Sequence, residues 1–288
     1  MNYLLFKFKE SCLKYNWLLK CNKVVNNFFF SGRFEQIVTE VKKLSIFDYK
    51  RLAMPMMRYY TDFIPENNDK NMGRCLKEYM GVNVQDSLNA MIEHGLFFGD
   101  YVADREYILN VPSIITFGDS RIQHLTDKGV NKQIIPIGPY IHYASPLLAK
   151  EEFLRVKQHL GRVLLVFPSH SLDKEGFKSQ YNIKEFTDEI DRVARDFDTV
   201  LISLHYDDVS RAVEYEKRGF ICVSSGHTND PFFMHRQRSI IELSDVTMSN
   251  AVGTHVGYCI YLKKPHYLFK QKIGGGKDNV VEKLTKRW

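Results

Sequence analysis

No apolar run in this chain approaches the roughly 18 residues that a bilayer-crossing helix needs. The densest short run, VLLVF at 163–167, has the length of a strand. Lysines interleave with the apolar residues of the N-terminus, which argues against a secretory leader. The five cysteines, at 12, 21, 75, 222 and 259, form neither a metal-like pair nor an even disulfide framework. A reducing, cytoplasmic setting is the expectation.

Several catalytic signatures are missing too. There is no H-E-x-x-H and no His/Cys pair at zinc-site spacing, so no metal site is expected. There is no G-x-S-x-G elbow, which counts against a hydrolase triad. No G-x-G-x-x-G follows a strand and no Walker lysine occurs, which counts against nicotinamide enzymes and P-loop kinases. GGGK at 274–277 has no strand feeding it and reads as a turn.

What is present is a core-forming composition. Apolar residues make up 44% of the chain and aromatics 13%, which excludes wholesale disorder. A length of 288 residues suits one large or two medium domains. The net charge of +6 is uneven, because residues 1–25 hold five lysines against Glu10. NYLLFKFKESCLKYNWLLKC can form a basic helix with Phe6, Leu13, Trp17 and Leu18 on offer to a partner or an anionic membrane. The plainer alternative is a helix packed on its own domain, its lysines solvated. Elsewhere basic residues alternate with acids and no nucleic-acid module is recognisable, so no nucleic-acid partner is expected.

Helical spacing covers 34–50 and, after Asn83, 84–93, with a loop at 64–73. The runs 95–102, 113–119 and 133–141 end in Gly, Asp or Pro as strands feeding turns do. From Lys150 strands and amphipathic helices alternate, and the strands are continuously apolar. That pattern signals a parallel sheet covered on both faces. Residues 151–288 therefore read as a Rossmann-like domain. Residues 1–150 read as a less legible helical or α/β domain on the acceptor side.

Ligands of such sheets bind beyond the carboxyl ends of the strands. Ser169, His170 and Ser171 follow one strand and His205 the next, with Asp207 and Asp208 beyond. Ser224, Ser225, Gly226 and His227 follow a third. Ser249, Asn250, Gly253, Thr254 and His255 follow a fourth. One strand-end histidine is ordinarily structural, but four at one edge indicate a shared cleft. Asp207–Asp208 reads as a solvated turn rather than a cation site. The 248–265 segment puts small residues before a helix start, a place suited to phosphate; its bland reading is an ordinary N-cap at Thr254.

IEHGLFFG (92–99), VLLVFPSHS (163–171), VLISLHYDD (200–208) and LSDVTMSNAVGTHVGYCIYLKKPHYLF (243–269) occur in an order that resembles bacterial surface-polysaccharide glycosyltransferases of the GT-B type. The nearest group is that of the teichoic-acid glycerophosphotransferases and polysialyltransferases. The resemblance covers roughly residues 90–270. It implies an α/β, GT-B-like fold of two Rossmann-like domains and sugar transfer from a nucleotide-sugar to a glycan acceptor, with no tightly bound cofactor. It implies His94 as general base beside Gly95, His205 at the nucleotide, and Ser249, Asn250, Gly253 and Thr254 around the phosphate, with Ser169 and His170 lining the cleft. The chain departs from the group at His205-Tyr206, where His-Pro is common, and at Ser249-Asn250, where adjacent hydroxyl residues are usual.

Two other functions stay open, a nucleotide-sugar epimerase-like enzyme and a non-catalytic nucleotide-binding subunit. A location on the inner face of the membrane would follow if the basic N-terminus binds lipid. His94 has a plainer reading as a helix C-cap before Gly95. Asp100 and Asp104 are candidates to orient it. Arg121 and one of His235, Arg236 and Arg238 are candidate contacts of the cleft.

Overall fold

The structure, a computed structural model, describes residues 13–171 and 177–275. Gly276 and Lys277 of the GGGK run and the whole of the N-terminal NYLLFKFKES stretch lie outside the described residues. The described residues open on a long helix, α1 (Asn16–Lys42), and a single turn, α2 (Tyr49–Leu52). The helix expected at 34–50 thus starts far earlier and breaks after Lys42. A kinked 3₁₀ segment (Pro65–Asn71) leads into α3 (Met72–Met80), which Gly81 ends in the left-handed conformation.

Three short strands, β1 (Ala90–Ile92), β2 (Ser113–Thr116) and β3 (Gln133–Pro136), form a parallel sheet in the order β1-β2-β3. Between them lie α4 (Asp104–Ile108) and α5 (Asp119–Asp127). The expected helix at 84–93 is instead a turn running into β1, and no strand forms at 95–102. Asn67 secures β1 at the sheet edge: its side-chain carbonyl accepts from Ile92 N–H at 2.7 Å and its amide donates to Ala90 O at 2.9 Å. A side chain thus stands where a neighbouring strand would.

The second half builds a five-stranded, all-parallel sheet. Its elements are α6 (Lys150–Leu160), β4 (Val163–Phe167), α7 (Ile183–Val193), β5 (Thr199–Ser203), α8 (Ala212–Glu216) and β6 (Ile221–Val223). They continue with α9 (Phe233–Leu243), β7 (Val246–Ser249), α10 (Thr254–Tyr261) and β8 (His266–Leu268). The strand order is β6-β5-β4-β7-β8. Central β4 is buried along its whole length, as its continuous apolar run requires. The protein is an α/β fold of two parallel sheets, the second with a Rossmann-like strand order.

One apolar cluster joins the sheets: Ile92, Leu96 and Ile115 of the first pack with Leu165, Phe167, Ile240 and Tyr258 of the second. A second cluster fills the opposite face of β4 and β5, with Leu164, Val166, Phe186 and Tyr215. Residue 150 falls between the two sheets. Residues 46–52 nevertheless cross over, because Ile46 O accepts from Ser224 N–H and Leu52 O from His227 N–H.

Candidate functional site

Parallel topology brings the carboxyl ends of β4, β5, β6 and β7 to one edge. The rings there form a contiguous row. His170 stacks on His205 with centroids 4.3 Å apart, His205 meets Tyr206 at 4.1 Å, and Tyr206 meets His227 at 4.5 Å. His205 Nδ1 accepts from Asp207 N–H, so its 3.6 Å approach to the Asp207 carboxylate joins an anion to a neutral ring. Burial, reinforced by His170 and Lys70, keeps His205 well below the usual histidine range.

The loop after β4 is held from within. Ser169 N–H donates to Asn250 Oδ1 at 2.6 Å, and Ser169 Oγ accepts from Ser179 Oγ. Asp208 takes both Ser171 N–H and Ser171 Oγ–H. Asp208 is therefore a buried anchor of this loop rather than a solvated turn residue.

The base candidate has a partner that sequence reading missed. His94 follows β1 directly, at a strand end rather than a helix C-cap, and its Nδ1 lies 2.7 Å from Asp69 Oδ2. Thr228 Oγ1 donates to the other carboxylate oxygen of Asp69 at 2.5 Å. Burial works to raise the Asp69 pKa, but His94, Lys70 and Thr228 together hold it well below the carboxylate range. Burial lowers His94, and Asp69 only partly offsets this. The pair is therefore a carboxylate and a neutral imidazole near pH 7. Nδ1–H donates to Asp69, leaving the basic lone pair on Nε2.

Asp69 belongs to a strained loop. Lys70 (φ 50°) and Asn71 (φ 53°) are consecutive non-glycine residues in the left-handed region. Buried polar groups impose that path. Asn68 bonds Asp62 N–H, Asp62 O and Ile64 O, while Asp62 takes Ile64 N–H and Leu88 N–H. Asn71 Nδ2 reaches across to Asn229 O. The ammonium of Lys70 lies near enough to His94, His205 and His255 to depress all three. Nothing in the string NNDKN announced this, because such a string reads equally as a solvated loop.

The opening of α10 completes the site. Its N-cap, Gly253, is extended, no side chain caps the helix, and its first turn carries no acid. Thr254 Oγ1 accepts from Leu96 N–H at 3.1 Å, binding the His94-Gly95 turn to the helix start. His255 stacks on Phe167 at 4.8 Å, and its buried Nε2 has no hydrogen-bond partner. Burial and the neighbouring His266, His170 and Lys70 keep this ring neutral. A Cβ at Gly253 would meet the His255 ring at 3.0 Å, tighter than an ordinary contact. Ser249 and Asn250 are fully committed inside: Ser249 Oγ to Ala251 O and His266 Nε2, Asn250 to Ser169 N–H and Gln271. They shape the bend, and they are buried beneath it.

Other candidates fall elsewhere. Arg121 is fully buried on Glu93 Oε1, with Thr116 on Oε2, and lies over the Phe97 ring. It contacts no cleft; it pins the residue before His94. Asp100 pairs with Lys128 at the surface. Arg236 is buried against Asp230 and Val41 O, Arg238 holds Glu242 and the carbonyls of 142 and 144, and His235 bridges Ser145 O and Glu78. None of the three belongs to the ring row. Among the described residues, no group of three or more His, Cys, Asp or Glu is arranged to hold a metal.

No family model and no curated protein matches this chain. Among solved structures it is similar to the UDP-GlcNAc 2-epimerase of Methanocaldococcus jannaschii, with a TM-score of 0.37 and 13% identity. The similarity covers 67% of this chain and 56% of the epimerase chain, so it spans little more than half of that protein.

Proposed function

We propose that the protein is a nucleotide-sugar-dependent glycosyltransferase of surface-polysaccharide synthesis, with His94 as its general base. The observation that carries this reading is the 2.7 Å His94–Asp69 contact beside the uncapped start of α10. A carboxylate on Nδ1 fixes the tautomer that leaves Nε2 basic, and it stabilises the imidazolium formed on proton uptake. His94 Nε2 takes the proton of an acceptor hydroxyl as that oxygen bonds the anomeric carbon. The bond from that carbon to the nucleotide's phosphate oxygen breaks, and the electron pair leaves with the diphosphate.

The leaving group's charge is met by backbone N–H groups at the start of α10, by the Lys70 ammonium and by His255. Ser249, Asn250 and Ser169 act indirectly, by holding the bend and the β4 loop in register. His170 and His205 offer a flat stacked surface to the rest of the donor. A nucleotide-sugar donor is the substrate, and a glycan is the acceptor.

The test has two parts. UDP, CDP, CMP, GDP and ADP are titrated in a thermal-shift assay against wild type and a Lys70→Met, His255→Ala variant. One nucleotide raising the Tm of wild type alone is the expected result; no response to any nucleotide overturns the reading. The matching nucleotide-sugar is then incubated with and without a glycan acceptor. Sugar transfer that needs acceptor is expected, whereas an altered sugar formed from donor alone would make the enzyme an epimerase.

A further inference from the structure

Helix α1 is apolar on two opposite sides, and the described residues cover only one. Leu19, Phe34 and Val41 are buried against the body. On that side Lys23 Nζ donates to Thr61 O and Gln85 O, and Asn27 exchanges hydrogen bonds with Tyr60. On the other side Trp17, Val24 and Phe28 follow one another at near-helical-repeat spacing, with Val25 and Phe29 on the flank. They are 63%, 67%, 80%, 55% and 71% exposed respectively. A helix that is apolar all round normally has both sides buried. Three helical turns of uncovered aromatic and branched side chains therefore call for an outside surface.

Charge decides which one. Between Glu10 and Glu35 the chain has no Asp or Glu, while it carries Lys14, Lys20, Lys23 and Arg33. Lys14 and Lys20 are exposed at the same end of the helix as Trp17. A second copy packed side by side in the same direction would set Lys14 and Lys20 against the same lysines, and the acids of α1, Glu35 and Glu40, lie beyond Phe29, so this mode of self-association is opposed. An anionic lipid surface answers both features: headgroups attract the lysines, and the acyl boundary accepts Trp17, Val24 and Phe28. No helix among the described residues is long and apolar enough to cross a membrane, which leaves α1 lying in the interface.

We propose that the Trp17–Phe29 face of α1 docks into the headgroup layer of a bilayer containing anionic lipid. This does not depend on the reaction the protein performs. Lys23 and Asn27 fasten α1 to residues 60–61, at the head of the loop that carries Asp69. Docking would therefore hold the site at a set orientation to the membrane.

The full chain is co-sedimented with vesicles of phosphatidylcholine alone and of phosphatidylcholine with phosphatidylglycerol, at low and high salt. Wild type is expected to pellet with the anionic vesicles only, and less so in high salt. Val24→Ser with Phe28→Ser should weaken binding roughly tenfold or more. Lys14→Glu with Lys20→Glu should abolish the preference for anionic lipid. All four positions are exposed, and an unchanged circular dichroism spectrum will establish that the variants fold. Equal binding by wild type and the serine variant, or no binding to either vesicle, overturns the proposal. So does self-association of wild type, without vesicle binding, that the serine variant abolishes.

Discussion

A Cβ on Gly95 would come within 2.3 Å of the Thr254 hydroxyl oxygen, across a sequence separation that joins the first sheet to the second. Gly95 also has φ +74°, a region where side chains strain the backbone. Glycine is needed here twice over. With Leu96 N–H on Thr254 Oγ1, the turn that carries His94 is seated directly on the start of α10.

Gly95→Ala is therefore expected to destabilise by about 1–3 kcal/mol, from left-handed strain plus displacement of Thr254. Thr254→Ala alone loses the Leu96 hydrogen bond, about 1 kcal/mol. The double variant leaves the added methyl an ordinary 3.5 Å from the residue 254 Cβ. Its loss should be smaller than the sum of the single losses, as urea unfolding of the four proteins will show.

His94→Ala should lower turnover by about 10²–10⁴-fold, the range for a general base. The rate should fall as pH drops below the ordinary histidine range, because His94 must be neutral and burial holds its pKa down. Asp69→Asn removes a charge that raises that pKa, so its acid limb should move to lower pH as its plateau falls. A purely structural Asp69 would lower the rate without moving the limb.

Glu106 is fully buried, neither carboxylate oxygen has a hydrogen-bond partner, and burial pushes its pKa up to about 7. The folded state thus binds a proton more tightly than the unfolded chain does. The group's contribution is most favourable at low pH and is lost as pH rises through about 7, an effect of about 3 kcal/mol. Glu106→Gln should gain stability over wild type progressively between pH 5 and pH 8. Unfolding free energies measured side by side isolate this from the histidines, whose depressed pKa values act in the opposite sense.

Lys77 is fully buried and donates to Thr61 O, Val84 O and Asp86 O, with Asp62 3.6 Å away. Lys77→Met takes the nearest cation from the Asp62 carboxylate and a donor from three carbonyls, at an expected cost of about 3–5 kcal/mol. Because Asp62 shapes the approach to Asp69, nucleotide-independent activity losses should accompany the lower Tm. Equilibrium unfolding and a turnover assay check both.

The second sheet was legible because each buried strand writes a continuous apolar run, and its helices write an amphipathic one. Strand β1 was not, since three residues are too few to show a period, and the preceding VQDSLN has helical spacing by chance. His94 stands out in the sequence by its neighbours in a motif, and its plainer reading as a helix end does not hold, because 84–93 forms no helix. The sequence offers Arg121 only as a candidate cleft contact, because burial of a guanidinium requires a partner, Glu93, that no local pattern reveals.

By itself, then, the sequence determined the parallel order of chemistry: small polar residues and histidine after each strand, and one topology rule that sets those ends on a single edge. Only the tertiary structure decided which of them lie together. Asp69 meets Thr228 across 159 positions, and Gly95 meets Thr254 across a similar span. Periodicity records burial along the chain, residue by residue. A contact between distant side chains is made by packing and leaves no mark on the stretch that contributes it.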